Sequence, residues 1–201
     1  MNLRPQSRLR RLRNGTYALH LPPEERALLG VVPQQLLASL ELLESGDDRT
    51  PDSARRILPI AHPRDAAAEE DYVRRHRPTL LARHMESLDL IARTAESNKL
   101  SAEELDAWLT AINDLRLALG VTLGVTEEQV EPDPDSPDFA DWIVYFYLSF
   151  LQGEILDVLA DDLPPPTPGA GEDLPEDPWG DPLGGLRWDG TPLPPQDHHR
   201  G

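Results

Sequence analysis

The chain has 201 residues and a formal net charge of −17, from 36 acidic against 19 basic side chains, and it contains no cysteine. That balance argues against a protein that coats duplex DNA, because phosphate binding rests on clustered Lys and Arg that displace counterions. The missing thiols exclude disulfides, thiolate metal sites and thiol redox switches.

Lys99 stands alone against eighteen arginines, the bias of GC-rich coding. No unbroken apolar run approaches the roughly 20 residues that cross a bilayer. The N-terminal arginines do not lead into the apolar stretch of a signal peptide. A cytoplasmic chain with no membrane partner is the expectation.

Residues 1–15 carry Arg4, Arg8, Arg10, Arg11 and Arg13 and no acid. Asn14-Gly15 predicts a two-residue turn in a hairpin over about 8–21. Its arginines suit either nucleic acid or an acidic partner, or a solvated edge on an acidic body. Pro22-Pro23-Glu24-Glu25 then starts a helix, with proline near the first position and acids in the first turn. That helix spans about 23–44, with a break expected at Gly30 and a restart at Pro33. Residues 45–54 read as loop, and Ile57 to Pro63 as an extended apolar connector.

A short helix over 65–76 ends in Arg74, Arg75, His76 and Arg77, a cluster that suits a helix C-terminus or an anionic contact. The next helix, about 78–97, places Leu80, Leu81, His84, Leu88, Ile91 and Ala95 inward. Residues 101–119 give the clearest helix. Ser101 with Glu104 forms a capping box. Leu105, Trp108, Leu109, Ile112, Leu115 and Leu119 make one stripe, and Gly120 suits a left-handed cap. Asn113, Asp114 and Arg116 on it suggest a structural polar network, with Asp114 paired to an arginine of a neighbouring helix.

An acidic loop over 127–138 precedes a last helix at about 139–159. From Trp142 to Leu151 every residue but Ser149 is apolar or aromatic, so core is expected all round this helix. Trp142 and Tyr145 are the partner-contact candidates should a face stay open. Residues 161–201 hold ten prolines, seven glycines and nine acids against two arginines. Such a stretch buries too little to offset ordering its backbone, so a disordered tail is expected, with Trp179 and Trp188 as a candidate docking motif.

The fold class that follows is mainly α, a helical bundle over 1–160 with a small N-terminal hairpin and the tail at 161–201. No catalytic, cofactor or metal site emerges. His76 and His84 are eight apart, too far for ligands on adjacent turns. Asp197-His198-His199 has no strand to present it. There is no G-x-S-x-G and no phosphate-cradling glycine loop.

The run Ala107-Trp108-Leu109, Ile112 to Gly120 and Leu123-Gly124-Val125-Thr126, preceded by Arg56-Ile57-Leu58-Pro59-Ile60-Ala61-His62-Pro63, resembles an actinobacterial family. That family, long a domain of unknown function, is associated with the oxidative-stress regulator AosR. The likeness covers about residues 10–160. It implies a cytoplasmic transcription regulator that works with an alternative sigma factor and RNA polymerase, and bears on stress or sulfur metabolism. Promoter DNA is a further candidate partner. The sensing associated with the family uses cysteine thiols, and this chain has none to carry it. The alternative is a non-enzymatic adaptor linked to Clp proteolysis. The resemblance implies no cofactor and no oligomeric state.

Overall fold

Ser101 starts the helix about which the others pack. Its Oγ accepts the Glu104 N–H at 3.1 Å, and Glu104 Oε2 accepts the Ser101 N–H at 2.7 Å, so the capping box is closed on both sides. The computed structural model describes residues 7–126 and 132–161. In chain order the elements are β1 (Leu9–Arg11), β2 (Tyr17–Leu19), α1 (Pro23–Ser45), α2 (Asp52–Arg55), α3 (Ala66–Arg75), α4 (Arg77–Thr94), β3 (Lys99–Leu100), α5 (Ala102–Thr122) and α6 (Phe139–Ala160). The fold is mainly helical, with a small antiparallel sheet at its N-terminal end.

On α5, Leu105, Trp108, Ala111, Ile112 and Leu115 are buried. They meet Leu81, Leu88 and Ile91 of α4, Leu148, Leu151 and Ile155 of α6, and Leu29, Leu36 and Leu40 of α1 in one continuous core. Packing of these faces, more than helix propensity, holds the helices in place. Trp108 is completely buried, and its indole N–H donates to Thr94 Oγ1 at 2.8 Å. The polar edge of the largest core side chain is thereby satisfied.

The hairpin closes differently from expectation. Leu9 pairs with Leu19 and Arg11 with Tyr17, which leaves five residues, Leu12 to Thr16, between the strands. Leu12 O accepts the Gly15 N–H and Leu12 N–H donates to Thr16 O. A two-residue turn of the Asn-Gly type needs positive φ at both positions; only Gly15 has it, at 80°. The register follows from burial, since Leu9, Tyr17 and Leu19 all enter the core. A third strand, Lys99–Leu100, pairs with β2 and turns the expected hairpin into a three-stranded sheet.

Helix α1 runs unbroken through Gly30 and Pro33. An interior proline removes one hydrogen bond and costs about 3 kcal/mol. Here Leu29, Pro33, Leu36 and Leu40 are buried on one face, and that packing outweighs the local break. The helix ends at Gly46 with φ 69°, where Asp47 N–H reaches Leu42 O and Gly46 N–H reaches Leu43 O, the Schellman pattern.

Other boundaries moved for similar reasons. Helix α5 continues past Gly120, and Gly124 takes the left-handed cap at φ 63°. Helix α4 begins at Arg77 and stops at Thr94, which frees the chain to form β3. Arg26 holds that exit: its guanidinium donates to the carbonyls of Leu21, Ala95 and Ser97 and to Asn98 Oδ1, at 2.8–3.1 Å. Within the expected 45–54 loop, α2 forms and buries Ala54. The connector after it is only half inward, with Ile57 buried and Ile60 exposed.

Candidate functional site

The arginines expected to meet polyanions divide into several groups. Arg8 makes a forked pair with Glu25, Nη2 to Oε1 at 2.7 Å and Nε to Oε2 at 3.0 Å. It also lies 4.8 Å from the centre of the Phe150 ring. Its backbone N–H donates to Glu154 Oε2 at 2.9 Å, and Tyr147 Oη donates to Glu25 Oε2 at 3.1 Å. Burial pushes the Tyr147 phenol well above its ordinary range, and the Glu25 carboxylate adds to that. Arg8 thus clamps the N-terminal strand to α1 and α6.

Arg10, Arg11 and Arg13 are exposed on the hairpin. Arg74 and Arg75 both pair with Asp71, at 2.5 and 2.9 Å. Arg77 is half-buried in the first turn of α4 and has no carboxylate partner among the described residues. The seven candidates therefore do not form one basic surface.

Of the polar residues on α5, Asp114 is the deepest, 2 % exposed. Its partner is His84 of α4, Nδ1 to Oδ2 at 2.6 Å, where an arginine was expected. Burial raises the Asp114 carboxyl above its ordinary value, and the His84 contact opposes that rise. Arg116 points the other way, towards α6. Its Nε donates to Ser149 Oγ at 2.8 Å, a second nitrogen donates to Gln152 Oε1, and the guanidinium lies 5.5 Å from the Tyr145 ring centre. Gln152 Nε2 lies 3.5 Å from Asn113 Oδ1. Asn113 and Arg116 thus bridge α5 to α6, while Asp114 joins α5 to α4. Among the described residues no group of three or more His, Asp or Glu side chains is placed to hold a metal ion.

Helix α6 departs furthest from its expected surroundings. Leu148, Leu151 and Ile155 are fully buried, but Ile143, Phe146 and Phe150 are 52, 45 and 44 % exposed. These three recur at three- and four-residue steps, so they form one open stripe. The rings of Trp142, Tyr145 and Phe146 lie 5.7–5.9 Å apart, edge-on or tilted. Core therefore covers one side of α6 only, because the described chain holds too few elements to enclose both. By length and composition alone α1 and α6 are apolar enough to cross a membrane. Core helices of folded domains pass the same weak test, and both of these seat leucines in the core.

Trp179 and Trp188 lie outside the described residues, as does the expected disordered tail from residue 162 on. Sequence reasoning assigned Glu25 only to dipole compensation and did not see Tyr147 as its partner; the residues sit 122 positions apart. The adjacent Arg55 and Arg56 stand just after the 45–54 segment, and no spacing pattern links them to Arg77. Their signal was the doubled charge directly before an apolar connector.

Comparison with curated proteins and with solved structures gives no match. Among protein families, residues 6–159 match the one described as Domain of unknown function (DUF2017). That span takes in every described helix and strand but for the last residue of α6, and the chain belongs to the DUF2017 family.

Proposed function

We propose that this domain is a non-enzymatic, AosR-like transcription regulator. It works in the cytoplasm by docking a sigma factor or RNA polymerase on the open face of α6. The observation that carries the reading is the stripe Ile143, Phe146 and Phe150 on a helix whose opposite side is core. Contiguous exposed apolar surface of this kind marks contact sites on folded proteins. Aromatic anchors are also the side chains that contribute most at interfaces. Membership of the family over residues 6–159 supports the AosR-like reading, since the likeness lies in that span. Direct DNA binding is secondary, because Arg8, Arg74 and Arg75 are already paired to carboxylates.

The test is binding of the full chain to purified sigma factors and core RNA polymerase, followed in real time on a sensor surface. Phe146→Ser with Phe150→Ser should weaken the contact at least about tenfold, with helical circular dichroism unchanged. Association with a Clp protease component in place of RNA polymerase would replace this reading with the adaptor alternative. Undiminished polymerase binding by the double variant would take α6 out of it.

A further inference from the structure

From the cavity bordered by Arg55, Arg56 and Arg77 we infer a second binding site, for a small organic phosphate. The cavity measures about 480 Å³ and lies where α2, the following connector, α3, the start of α4 and the end of α5 meet. Its size falls within the roughly 300–1,000 Å³ of small-molecule sites. The inference does not rest on the α6 reading, which concerns a different surface.

Charge distinguishes this place from the rest of the molecule. Elsewhere Arg8, Arg49, Arg74, Arg75 and Arg93 pair with carboxylates, and Arg26 and Arg116 donate to uncharged oxygens. Arg10 and Arg13 on the hairpin, Arg64 before α3, Arg83 on α4 and Lys99 on β3 also have no carboxylate partner among the described residues, but they lie apart from this cavity. In a chain with 36 acids against 19 bases, unpaired cations that gather at one cavity are an exception. Arg55, Arg56 and Arg77 have no carboxylate partner among the described residues. Two acids do border the cavity, Asp52 and Glu69. Glu69 Oε2 is already committed, accepting the N–H groups of Ala61 and His62 at 3.0 and 2.7 Å. That bond shapes the connector that walls the cavity. Asp52 sits in the first turn of α2 and pairs with none of the three arginines.

The chemistry of the lining selects the ligand. Each guanidinium presents five N–H donors in a planar fork, which matches the oxygens of phosphate in paired bonds. Three forks exceed what a single carboxylate accepts, and a phosphate group has at least three oxygens to offer. The remaining wall is mostly apolar, formed by Leu58, Pro59, Ile60, Tyr72, Val73 and Val121. Ile60 is 68 % exposed, an apolar side chain left open beside cations. An inorganic anion would leave that wall unused, so the ligand carries a ring or apolar body as well as the phosphate.

The experiment is titration calorimetry of the full chain in phosphate-free buffer with adenosine 5′-monophosphate, adenosine and inorganic phosphate. Methyl NMR of Ile60 and Val121 runs alongside. The nucleotide should bind saturably and at least about tenfold more tightly than either of its parts. Arg56→Gln, at an exposed position, and Arg77→Gln should each weaken it about tenfold, the loss of one charge-assisted bond. Shifts of the Ile60 and Val121 methyls should saturate with the heat. Arg10→Gln with Arg13→Gln on the hairpin should change nothing. Equal affinity for inorganic phosphate and the nucleotide would overturn the organic-phosphate assignment. Absence of saturable binding up to about 5 mM, or equal weakening by the hairpin variant, would overturn the site. The NMR map on the unaltered chain decides the matter even if Arg77→Gln unfolds.

Discussion

Replacing Trp108 with alanine tests whether the bundle depends on α5 as its centre. The indole is fully buried. An aromatic of this size takes roughly 150–250 Å² out of water, worth about 4–6 kcal/mol at ~25 cal/mol per Å². Truncations of buried aromatics cost about 3–5 kcal/mol once partial collapse of the cavity is included. A domain is stable by only about 5–15 kcal/mol, so Trp108→Ala should remove about a fifth or more. The bond from Nε1 to Thr94 Oγ1 permits a finer dissection. Trp108→Phe keeps most of the apolar bulk and should cost about 1–2 kcal/mol. Thr94→Val leaves the indole N–H buried without an acceptor and should cost about 1–3 kcal/mol. Urea titration followed by far-ultraviolet circular dichroism reads all three. A loss below about 1 kcal/mol for Trp108→Ala would refute the central role of α5.

Arg8→Ala removes the fork to Glu25 and the contact with Phe150, and should cost about 1–3 kcal/mol; Arg8→Lys should not restore it, lacking the planar fork, and a change below about 0.5 kcal/mol in the same titration would show the clamp to be idle. The raised carboxyl of Asp114 binds its proton more tightly in the folded than in the unfolded chain, so its contribution to stability is present below the unfolded value and declines as pH rises through the folded one. Asp114→Asn should remove that decline and gain on the unaltered chain as pH rises from about 4; thermal midpoints across pH that show the unaltered chain gaining would reverse the sign. At about 150 mM salt the chain alone should bind duplex DNA only at roughly 10⁻⁴–10⁻⁶ M and without sequence preference, and a nanomolar, sequence-specific gel shift would contradict the pairing of Arg8, Arg74 and Arg75.

The helices were readable wherever local chemistry and tertiary demand agree. Ser101 and Glu104 satisfy each other within one turn, so α5 starts where the sequence says. Pro33 shows the opposite case. Its local effect is a break, and only the buried line from Leu29 to Leu40, completed by other helices, reverses it. Strand β3 has just two residues, too few for a period, and exists because Arg26 draws the end of α4 to it from far along the chain. The aromatic run in α6 told that the helix is apolar all round, not how many neighbours remain to cover it. Pairings such as Arg8 with Glu25 and His84 with Asp114 depend on which faces meet, and spacing along the chain does not report that.

The Arg8 clamp joins the first strand to the last described helix, residues 146 positions apart. Until α6 has left the ribosome, Arg8 has neither the Phe150 ring nor the Glu154 carboxylate, and the Leu148, Leu151 and Ile155 side of the core is bare. The earlier elements can pair as they emerge, but the domain has no closed state before that moment. Synthesis therefore exposes apolar surface of α5 for as long as residues 123–155 take to appear, and truncation ahead of α6 yields an aggregating fragment rather than a smaller domain.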